Sequence, residues 1–550
     1  MTDNQIRVTL KGMGSSHSDF IFTQKPSGYN THSPDIGKKG YVEILSEKLQ
    51  KELLVVHRLD KETSGAMLFA TNKPAAAELS SLFEKHLIYK KYLFLTDRKI
   101  APDRFEYEST IEKDKGKFVN ISGRTPNSKT LFTKLKSLGP YELWQAEPTT
   151  GKPHQIRLHA EACGIPILGC KEHGGSAFYR LCLHADTLSF EYKSLPYHFQ
   201  AELPVWVNEL DAQPNIEEEE LMILEAFQKR QWLLDFKGKP SECFRLSHQD
   251  IDSYRVDMFG EYLWFYWYKD NDPSTKDLER FQRVADRFGK KYFVRKMLNR
   301  GEDPNAQLLW PSAEKIRWVS TENAVKFECR NDTGLSPGLF LDQRENRRWV
   351  REHSKDKCVL NLFSYTGGFS VNAALGGAKE VVTVDVSSNF LEWSKKNFEV
   401  NGLSLTPPDE IAAGPKMDFK TMMSDQAPKP RYEFWVQDSI IFLKGTARRK
   451  RKFDVIICDP PSFGRSKSGT FSISKNYEEL IVNCLYCLAK GGLLLFCTNY
   501  EKWTQADLVQ NIQKLKSQFY FTVLSSPGFC LDFELPDEDP LMKSVIIRKN

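Results

Sequence analysis

From Cys358 onward, short apolar runs alternate with helix-like segments, and this alternation most strongly constrains the fold. The runs CVLNLF, VVTVD, FDVIICDPP and GGLLLFCTN can each form one buried strand, and FSVNAALGGA and LEWSKKNFEVNG lie between them. Parallel strands need a crossover connection, which is usually a helix, so this pattern indicates βαβ units. The C-terminal part is therefore predicted to be a doubly wound α/β domain with a mainly parallel sheet.

Between Asp19 and Pro204 the pattern is different, because strand-like runs follow one another with few helices between them. The runs FIFTQKPSG, LLVVHRLD, GAMLFATN and KKYLFLTD are examples. They predict an α+β unit on a mostly antiparallel sheet. In QPNIEEEELMILEAFQKRQWLL, an acidic cluster after a proline opens a helix. We therefore expect a first domain at residues 1–210, a helical linker at 211–240, a small α+β accessory domain at 241–330 and the α/β domain at 331–550.

The chain has 550 residues, 40% of them hydrophobic and 27% charged, which is an ordinary composition for several globular domains. Its net charge of +5 is compatible with a polyanionic partner. No signal-peptide pattern and no run of 18 apolar residues is present, so we expect a cytoplasmic protein with no membrane partner. The 11 cysteines are scattered, and the close pair Cys484 and Cys487 lies in an apolar helix-like segment. We expect buried thiols, no disulfides and no metal site.

Chemical groups follow the strands of the predicted α/β domain. Gly367 and Gly368 form a turn that lets a ligand approach backbone N–H groups at the start of a helix. Asp385 ends the next strand, where a carboxylate can accept ribose hydroxyls, and Asp438 ends a further strand, where it could meet an adenine amino group. Asp459 follows the fourth strand. Each feature alone is common in structural turns, but their order in one domain indicates a nucleotide-containing ligand.

These stretches resemble the S-adenosylmethionine-dependent methyltransferases that modify bacterial large-subunit ribosomal RNA. The resemblance covers about residues 226–550 and rests on FLDQRENRRWV, NLFSYTGGFSVNAALGGA, TVDVSSNFLEWSKKNFEVNGL and CDPPSFGRSK. It implies S-adenosylmethionine as the cofactor. It also implies contacts to the methionine moiety from Ser364, Tyr365 and Gly367, to ribose from Asp385, and to adenine near Asp438, with Asp459 and Pro460 beside the methyl group.

The base that receives the methyl group depends on a nucleophile. Cytosine C5 reacts only after a thiolate has added to C6, and such relatives continue their strand into Phe-Ser-Cys-Ser. Here the strand reads Phe496, Cys497, Thr498, Asn499, so Thr498 stands in the place of the cysteine and Cys497 is one residue early. The stretch is closer to the guanine-N7 type, which ends in Phe-Ser-Asn-Asn. We therefore favour guanine N7 as the acceptor, and cytosine C5 is the alternative.

Asp60 lies in VVHRLDKETSGAMLFA, in a charged loop between two apolar runs. An aspartate in such a loop commonly caps a turn. However, the stretches FTQKPSGYNTH, VVHRLDKETSG, IYKKYLFLT and GKPHQIRLHAEACGIPILGC together resemble the RluA-type pseudouridine synthases over about residues 17–200. The resemblance implies that Asp60 is the catalytic aspartate, that Arg157 pairs with it and that Tyr92 stacks on the target base.

The chemistry of this reaction suits these residue types. Isomerising uridine breaks the N1–C1′ bond, turns the base and forms a C5–C1′ bond without a cofactor, and a carboxylate near the ribose can act as nucleophile or base. His57, His154 and His159 are interpreted as structural. The sequence departs from the family at Pro153, where Thr is usual, and at Cys170, where Asp is usual. These two changes bear on the fit of the substrate.

Together the two resemblances predict a bifunctional RNA-modifying enzyme whose partner is large-subunit ribosomal RNA. A rival hypothesis makes the N-terminal unit an RNA-binding module that serves a cytosine-C5 methyltransferase. The small 241–330 domain and the basic run TARRKRK, residues 446–452, are candidates for RNA contact. A solvated charge run explains the basic stretch equally well.

Overall fold

A computed structural model of the chain divides into two compact units, Met1–Lys237 and Gly238–Asn550. It describes residues 7–9, 17–33, 39–121, 124–234, 242–248, 251–297, 309–311, 314–332, 336–405, 431–466, 469–517, 519–528, 530–533 and 540–550. No helix in these ranges combines the length and apolar character that a bilayer span requires.

The first unit is built on a sheet of 11 strands. The strands are β1 (Arg7–Thr9), β2 (Phe20–Lys25), β3 (Leu54–Val55), β4 (Ser64–Ala70), β5 (Tyr89–Thr96), β6 (Arg104–Asp114), β7 (Lys117–Ile121), β8 (Ser128–Leu138), β9 (Tyr141–Pro148), β10 (Leu183–Tyr192) and β11 (Leu195–Gln200). Their main order is β1-β11-β10-β5-β9-β8-β6-β7, and β4 joins β10 to β2 and β3. Only the β1–β11 and β4–β10 pairings are parallel among these strands, so the predicted α+β fold with a mostly antiparallel sheet is confirmed.

Five helices accompany this sheet: α1 (Tyr41–Leu49), α2 (Lys73–Glu84), α3 (Gln155–Ala162), α4 (Val205–Ala212) and α5 (Glu218–Leu234). The last of them is the helix that follows the acidic cluster, and its Leu221 packs in one buried cluster with Leu143 and with Trp206 of α4. Much of the segment predicted as a linker is therefore packed on the core of the first unit. The boundaries at residues 210, 240 and 330 stay predictions.

The second unit begins with a five-stranded sheet and a hairpin. The strands are β12 (Cys243–Ser247), β13 (Tyr254–Phe259), β14 (Tyr262–Trp267), β15 (Lys291–Lys296), β16 (Leu309–Trp310), β17 (Arg317–Glu322) and β18 (Val325–Arg330), with α6 (Thr275–Arg287) between β14 and β15. Its aromatic residues Tyr262, Trp264 and Phe293 belong to the same buried cluster as Val359 and Ile457 farther along the chain. The segment predicted as a separate accessory domain therefore shares a core with the α/β part.

The rest of the second unit is a seven-stranded sheet with helices. Its elements are α7 (Arg344–Glu352), β19 (Cys358–Leu362), α8 (Gly368–Leu375), β20 (Glu380–Asp385), α9 (Ser388–Val400), β21 (Arg431–Val436), α10 (Ser439–Arg448), β22 (Phe453–Cys458), β23 (Phe463–Ser466), β24 (Gly469–Ser472), α11 (Ile473–Cys487), β25 (Leu488–Thr498), α12 (Gln505–Gln513), β26 (Phe521–Leu524) and β27 (Lys543–Lys549). The strand order is β21-β20-β19-β22-β25-β27-β26, and β23 and β24 form a separate hairpin.

Five neighbouring strands of this sheet run parallel, namely β21, β20, β19, β22 and β25, which confirms the predicted α/β fold. Strand β27 runs antiparallel to β25. The direction in which the strands are added to the sheet reverses between β19 and β22. On one side of β19 lies β20, the next strand along the chain, and on the other side lies β22. In open α/β sheets, ligands bind outside the carboxyl ends of the strands at such a switch point. We therefore expect the predicted methyltransferase residues to lie at this edge of the sheet.

Candidate active sites

The Asp60 loop connects β3 to β4 in the first unit, and backbone contacts hold it on both sides of the aspartate. The hydroxyl of Thr31 donates to the carbonyl of Leu59 at 3.1 Å and accepts from the N–H of the same residue at 3.2 Å. On the other side, the buried ammonium of Lys25 donates to the carbonyl of Lys61 at 3.0 Å. The backbone is thus held at the residues before and after Asp60, so the loop supports the Asp60 carboxylate rigidly.

Lys25 and Thr31 were not identified from the sequence as site residues. The ammonium of Lys25 also donates to the carbonyls of Pro26 and Tyr29, at 3.0 and 2.8 Å, so one cation ties three backbone carbonyls together. The available signal was a lysine at the end of the strand-like run FIFTQK, because a lysine that is buried with such a strand needs partners. The stretch FTQKPSGYNTH therefore serves the neighbouring loop structurally.

The glycine of the same motif has a packing role. Gly65 has a positive φ of +113°, and β4 passes so close to β10 that a Cβ at this position would collide with the carbonyl oxygen of Ala185. The backbone of β4 can therefore pair in parallel with β10 directly after the Asp60 loop. The glycine in HRLDKETSG is required by this close approach rather than by the chemistry.

Arg157 lies on α3 and brings a cation to Asp60. Its Nη1 is 3.7 Å from Oδ2 of Asp60, and its side chain is 10% exposed. The guanidinium makes shorter contacts on its other side, where Nη2 donates to Oε2 of Glu172 at 2.5 Å and Nε donates to Sγ of Cys170 at 3.2 Å. Burial acts to lower the pKa of Arg157, but Cys170, Asp60 and Glu172 together raise it. The guanidinium therefore stays charged between two carboxylates.

This arrangement explains one departure from the resembled family. Cys170 stands where an aspartate is usual, and it accepts a hydrogen bond from the arginine with its thiol. The missing carboxylate is supplied two residues later by Glu172, whose pKa is lowered chiefly by its hydrogen bond to Arg157. Glu172 was not among the residues predicted from the sequence. It could not be found from spacing alone, because its side chain is largely exposed and acidic surface residues are common.

Tyr92, the predicted stacking residue, lies in β5 opposite Ala146 of β9 and Ala185 of β10. Its ring is partly buried, and burial raises the pKa of its hydroxyl, with a smaller contribution from the negative charge of Asp60. Ala185 pairs with Tyr92 on one side and with Gly65 of the Asp60 motif on the other, so the sheet brings Tyr92 to the side of the Asp60 loop. The structure brings Asp60, Tyr92 and Arg157 into one site.

Two of the histidines in this unit have structural partners, as interpreted from the sequence. His57 accepts from the N–H of Leu68 at 3.0 Å and stacks on Phe83 at 4.4 Å, and burial lowers its pKa to about 3. His159 is fully buried and hydrogen-bonds the hydroxyl of Thr130 at 2.9 Å, and burial lowers its pKa to about 4. Both rings are therefore neutral over the physiological range.

His154 instead lies beside Glu172 and His173, and the nitrogen and oxygen atoms of these three side chains lie within 4.8 Å of one another. Nδ1 of His154 is 3.2 Å from Nε2 of His173, and Nδ1 of His173 is 3.5 Å from Oε2 of Glu161. Oε2 of Glu172 is held by the guanidinium of Arg157. Because that cation already neutralises the carboxylate, the cluster disfavours a metal ion.

In the second unit, the predicted cofactor residues follow neighbouring strands at the switch point. The SYTGG loop follows β19, and the N–H of Ser364 donates to the carbonyl of Val384 in β20 at 3.1 Å. The N–H of Tyr365 donates to Oδ2 of Asp385 at 2.8 Å. Gly367 precedes α8 with a φ of +77°, and a Cβ there would collide with Ser394 of α9. The loop therefore needs glycine to pass close to α9, and Ser364, Tyr365, Gly367 and Asp385 lie together.

The two carboxylates predicted for the nucleoside have different surroundings. Asp385 accepts one N–H at each oxygen, from Tyr365 and from Ser387 at 2.9 Å, so each oxygen keeps a lone pair for a hydroxyl. Burial raises its pKa, and the backbone hydrogen bonds act in the opposite direction. Asp438 caps α10, where its Oδ1 accepts from the N–H groups of Ile440 and Ile441. A contact from Asp438 to adenine would share the carboxylate with this cap.

The surroundings fit S-adenosylmethionine. The hydroxyl of Ser364 is buried and has no hydrogen-bond partner within the described ranges, so the loop carries an unsatisfied polar group at the place where a methionine moiety is expected. Val386 and Val436, which directly follow β20 and end β21, are 58% and 60% exposed and offer apolar surface beside Asp385. An exposed apolar surface next to a ribose-binding carboxylate suits an adenine ring.

Asp459 follows β22 at the switch point, next to the buried Pro460. Its Oδ2 accepts from the side-chain amide of Gln343 at 2.8 Å. Burial raises the pKa of Asp459 to about 7, the charge of Asp342 adds to this, and the hydrogen bond from Gln343 acts in the opposite direction. The carboxyl group therefore titrates near neutral pH, which is a common property of functional carboxyls. Gln343 was quoted in FLDQRENRRWV but was not identified as a site residue.

Cys497 and Thr498, which decided the predicted acceptor base, are both fully buried in β25. Sγ of Cys497 accepts from the side-chain amide of Asn346 at 3.5 Å, so the cysteine lies on the α7 side of the strand. Burial raises its pKa far above the usual range, and the nearby charge of Asp459 adds to this. The hydroxyl of Thr498 accepts from the N–H of Tyr500 at 3.2 Å. Cys497 is therefore a neutral thiol rather than a nucleophilic thiolate.

The basic run at residues 446–452 is only partly available for RNA. Arg451 is paired with Glu433 at 3.1 Å and with Glu380 at 3.2 Å. Lys452 donates to the carbonyl of Tyr486. Arg448, Arg449 and Lys450 are exposed, so the part of the run that can meet phosphates is short.

A buried ionic network holds α7 in place. Arg344 forms two hydrogen bonds to Asp532, at 2.9 and 2.8 Å, and Arg347 forms two to Glu322, both at 2.7 Å. All four side chains are almost fully buried. The helix that follows Asp342 and Gln343 is thus locked to distant parts of the unit, which fixes these side chains relative to Asp459.

The first unit thus carries a loop carboxylate faced by an arginine on a mostly antiparallel sheet, and the second carries a row of carboxylates at the switch point of a parallel sheet. The family model for RNA pseudouridylate synthase matches residues 19–162, and that for S-adenosylmethionine-dependent methyltransferase matches residues 275–411. The chain therefore contains an RluA-type pseudouridine synthase domain followed by an S-adenosylmethionine-dependent methyltransferase domain.

The curated relatives of this chain are ribosomal RNA methyltransferases. The chain is 32% identical over 283 residues to the ribosomal RNA large subunit methyltransferase K/L of Pseudoalteromonas atlantica, which is 50% of this chain and 36% of that protein. It is 36% identical over 201 residues to the ribosomal RNA large subunit methyltransferase K of Neisseria meningitidis serogroup B, which is 36% of this chain and 50% of that protein. The chain thus spans half or less of the length of these relatives. A solved structure of human RNA pseudouridylate synthase domain containing 1 aligns with 36% of this chain and 86% of its own, at 23% identity and a TM-score of 0.32.

Proposed function

We propose that the chain is a bifunctional RNA-modifying enzyme. The N-terminal domain isomerises uridine to pseudouridine, and the C-terminal domain transfers a methyl group from S-adenosylmethionine to guanine N7 of large-subunit ribosomal RNA. The observation that carries the proposal is the presence in one chain of both sites, Asp60 faced by Arg157 and Asp459 at the switch point. We place the activity in the cytoplasm.

In the first reaction, Asp60 acts on the ribose or base of a bound uridine. The N1–C1′ bond breaks, the base turns within the site, and C5 bonds to C1′ before its proton moves to the solvent or to a basic group. Tyr92 offers an aromatic face for the turning base, and Arg157 holds Asp60 in its charged form. Atoms balance without a cofactor, because the reaction is an isomerisation.

In the second reaction, S-adenosylmethionine supplies an electrophilic methyl group on a positively charged sulfur. The lone pair of guanine N7 is nucleophilic without losing a proton, so the site needs no general base and no covalent nucleophile. The positive charge passes to the imidazole ring of the base, and we assign the stabilisation of that charge to the Asp459 carboxylate. The alternative acceptor, cytosine C5, needs a thiolate, and the buried neutral thiol of Cys497 does not favour it.

The choice of ribosomal RNA rests on the relatives, two of which are named as large-subunit ribosomal RNA methyltransferases. Because the chain spans half or less of their length, the substrate of the whole protein belongs to the proposal. The match of residues 19–162 to RNA pseudouridylate synthase supports an RNA substrate independently.

The test is nucleoside mass spectrometry of unmodified large-subunit ribosomal RNA after incubation with the purified full chain, with and without S-adenosylmethionine. We expect pseudouridine in both samples and N7-methylguanosine only with the methyl donor. Asp60→Asn should abolish pseudouridine and leave N7-methylguanosine unchanged, because the two sites use separate groups. Asp459→Asn should have the opposite effect.

Three other outcomes would contradict parts of the proposal. Appearance of 5-methylcytidine that is lost in Cys497→Ser would identify cytosine as the acceptor. Absence of pseudouridine on both ribosomal and transfer RNA, with methylation intact, would favour the rival hypothesis of an RNA-binding module. Absence of both products would refute the bifunctional assignment.

A further inference from the structure

A pocket opens beside the Asp459–Gln343 pair in the second unit. Its lining includes Asp342, which precedes α7, Asn346 in the first turn of α7, and Phe533, Leu541 and Met542 from the segment before β27. The same amide nitrogen of Gln343 that contacts Asp459 also lies 3.2 Å from Sδ of Met542. The pocket is therefore one side chain away from the carboxyl group that we assign to the methyl-transfer site.

The polar groups between Asp459 and this pocket have a defined direction. When ionised, the carboxylate of Asp459 can only accept hydrogen bonds, and Gln343 turns its NH2 group towards it and leaves Oε1 on the other side. Oε1 accepts from the NH2 group of Asn346 at 2.6 Å, and the same NH2 group contacts Sγ of Cys497. The Asn346 amide is thus oriented by Asp459 through Gln343. Its Oδ1 is left as an acceptor.

Two buried acceptor atoms of the pocket residues lack partners. Oδ1 of Asn346 and Oδ1 of Asp342 are both buried, and neither has a hydrogen-bond partner in the part of the chain that the structure describes. Asn346 itself is only 3% exposed. A buried oxygen without a donor costs free energy, and native proteins rarely keep two of them in the lining of one pocket without a use. The pocket therefore calls for a ligand that presents donors.

Among the RNA bases, guanine presents donors at two adjacent positions on one edge. Its N1–H and N2–H2 groups point from the edge opposite to N7, whereas cytosine, adenine and uracil each offer a single donor position there and at least one acceptor. A carboxylate beside an amide oxygen matches the two guanine donors and repels the acceptors of the other bases. A guanine held by this edge keeps N7 free on its other side.

We propose that this pocket recognises the acceptor guanine, with Asp342 and Asn346 receiving the N1–H and N2–H2 donors. The inference rests on the proposed function of the second domain and names the residues that select its base. Phe533 supplies an aromatic ring for stacking. One face of this ring is covered by the guanidinium of Arg245 at 4.3 Å, and Arg245 is itself held by Asp257. The ring is thereby fixed as a platform.

The experiment measures methylation of unmodified large-subunit ribosomal RNA by the full chain, with the product nucleoside identified by mass spectrometry. Asp342→Asn should lower kcat/KM for N7-methylguanosine formation roughly 10- to 100-fold, because an amide leaves one donor of the base unpaired or opposed. The affinity for S-adenosylmethionine, measured by calorimetry, should stay within about twofold of the wild type, since the residue contacts the base rather than the methyl donor. Arg348→Gln, on the exposed side of α7, is the matched control and should change neither quantity.

Stability separates this role from a purely structural one. Removing a buried carboxylate that has no hydrogen-bond partner at one oxygen should leave the melting temperature unchanged or raise it. A residue needed only for folding would instead lower the melting temperature in parallel with activity. If Asp342→Asn lowers both, the role in recognition is refuted.

A second variant tests the other acceptor independently. Once the methylated position is mapped, RNA assembled with inosine at that position lacks the N2 amine but keeps N1–H and N7. The wild type should methylate inosine about 10-fold or more slowly than guanosine, and Asn346→Ser should reduce this preference, because the variant has lost the acceptor for the missing amine. Equal rates on guanosine and inosine in the wild type would overturn the assignment of Asn346.

Failure of this inference differs from failure of the proposed function. If the wild type forms no N7-methylguanosine on any RNA, the proposed function fails. If the wild type forms it and Asp342→Asn forms it at the same rate, the proposed function stands and the pocket is not the recognition site.

Discussion

The affinity of the second domain for S-adenosylmethionine should depend on pH through Asp459. The pKa of this carboxyl is raised to about 7, chiefly by burial. Its ionised fraction therefore rises from about 0.09 at pH 6 to about 0.91 at pH 8, which is roughly a 10-fold change. A positively charged sulfonium beside the group favours the ionised form, so binding should release a proton.

If the sulfonium binds mainly when Asp459 is ionised, the apparent Kd should fall about 10-fold between pH 6 and pH 8. S-adenosylhomocysteine is the matched control, because it has the same adenosine and amino-acid groups but a neutral sulfur. Its Kd should not follow the titration of Asp459. Isothermal titration calorimetry in two buffers of different ionisation enthalpy measures both the affinity and the released proton.

Asp459→Asn provides the second control. The variant should bind S-adenosylmethionine more weakly than the wild type at pH 8, with no dependence on pH beyond that seen for S-adenosylhomocysteine. The reasoning would be refuted if both ligands showed the same pH dependence in the wild type, or if the asparagine variant kept the 10-fold change. Either result would mean that Asp459 does not sense the charge of the methyl donor.

Three substitutions test the supports of the two sites. Arg157→Lys should lower pseudouridine formation at least about 100-fold, measured by nucleoside mass spectrometry, because an ammonium cannot keep the three contacts of the planar guanidinium; near-normal activity would show that charge alone suffices. Asp532→Asn should destabilise the second unit by up to about 3–5 kcal/mol in urea unfolding, since the buried Arg344 keeps only the more distant Glu322, at 3.8 Å, as a counter-ion; a change below about 1 kcal/mol would contradict this. Gly367→Ala should weaken binding of S-adenosylhomocysteine at least about 10-fold in calorimetry, because its Cβ would collide with Ser394 at positive φ; unchanged binding would show that the loop can move.

Much of the fold follows from local sequence patterns. Buried strands, the helices between them and the glycine turn before α8 are each encoded within a dozen residues, through apolar periodicity and the backbone freedom of glycine. The carboxyl ends of parallel strands share one edge, so the sequence alone predicts that the strand ends at Asp385 and Asp459 lie at one site. The helix α5 was also predicted, but its packing on the first unit was not, because local periodicity does not say which core an apolar face will meet.

Residues that lie far apart in the chain were harder to predict as partners. Cys170 looked like the loss of a carboxylate, and only folding showed that Glu172 supplies one to Arg157. Lys25 holds the backbone beside Asp60 from 36 residues away. In both cases the partner is chosen by the packing of strands and loops, for which short motifs carry no signal.

The sequence by itself determined which chemical groups the protein carries and on which kinds of element, because strand, helix and turn preferences act over short distances. Only the tertiary structure decided how these groups are paired and oriented. The amide of Gln343 meets Asp459 from 116 residues away, and this contact directs Asn346 towards a pocket that no motif had indicated. Hydrogen-bond direction and burial depend on all neighbours in three dimensions, which is why the pocket could be found only in the folded chain.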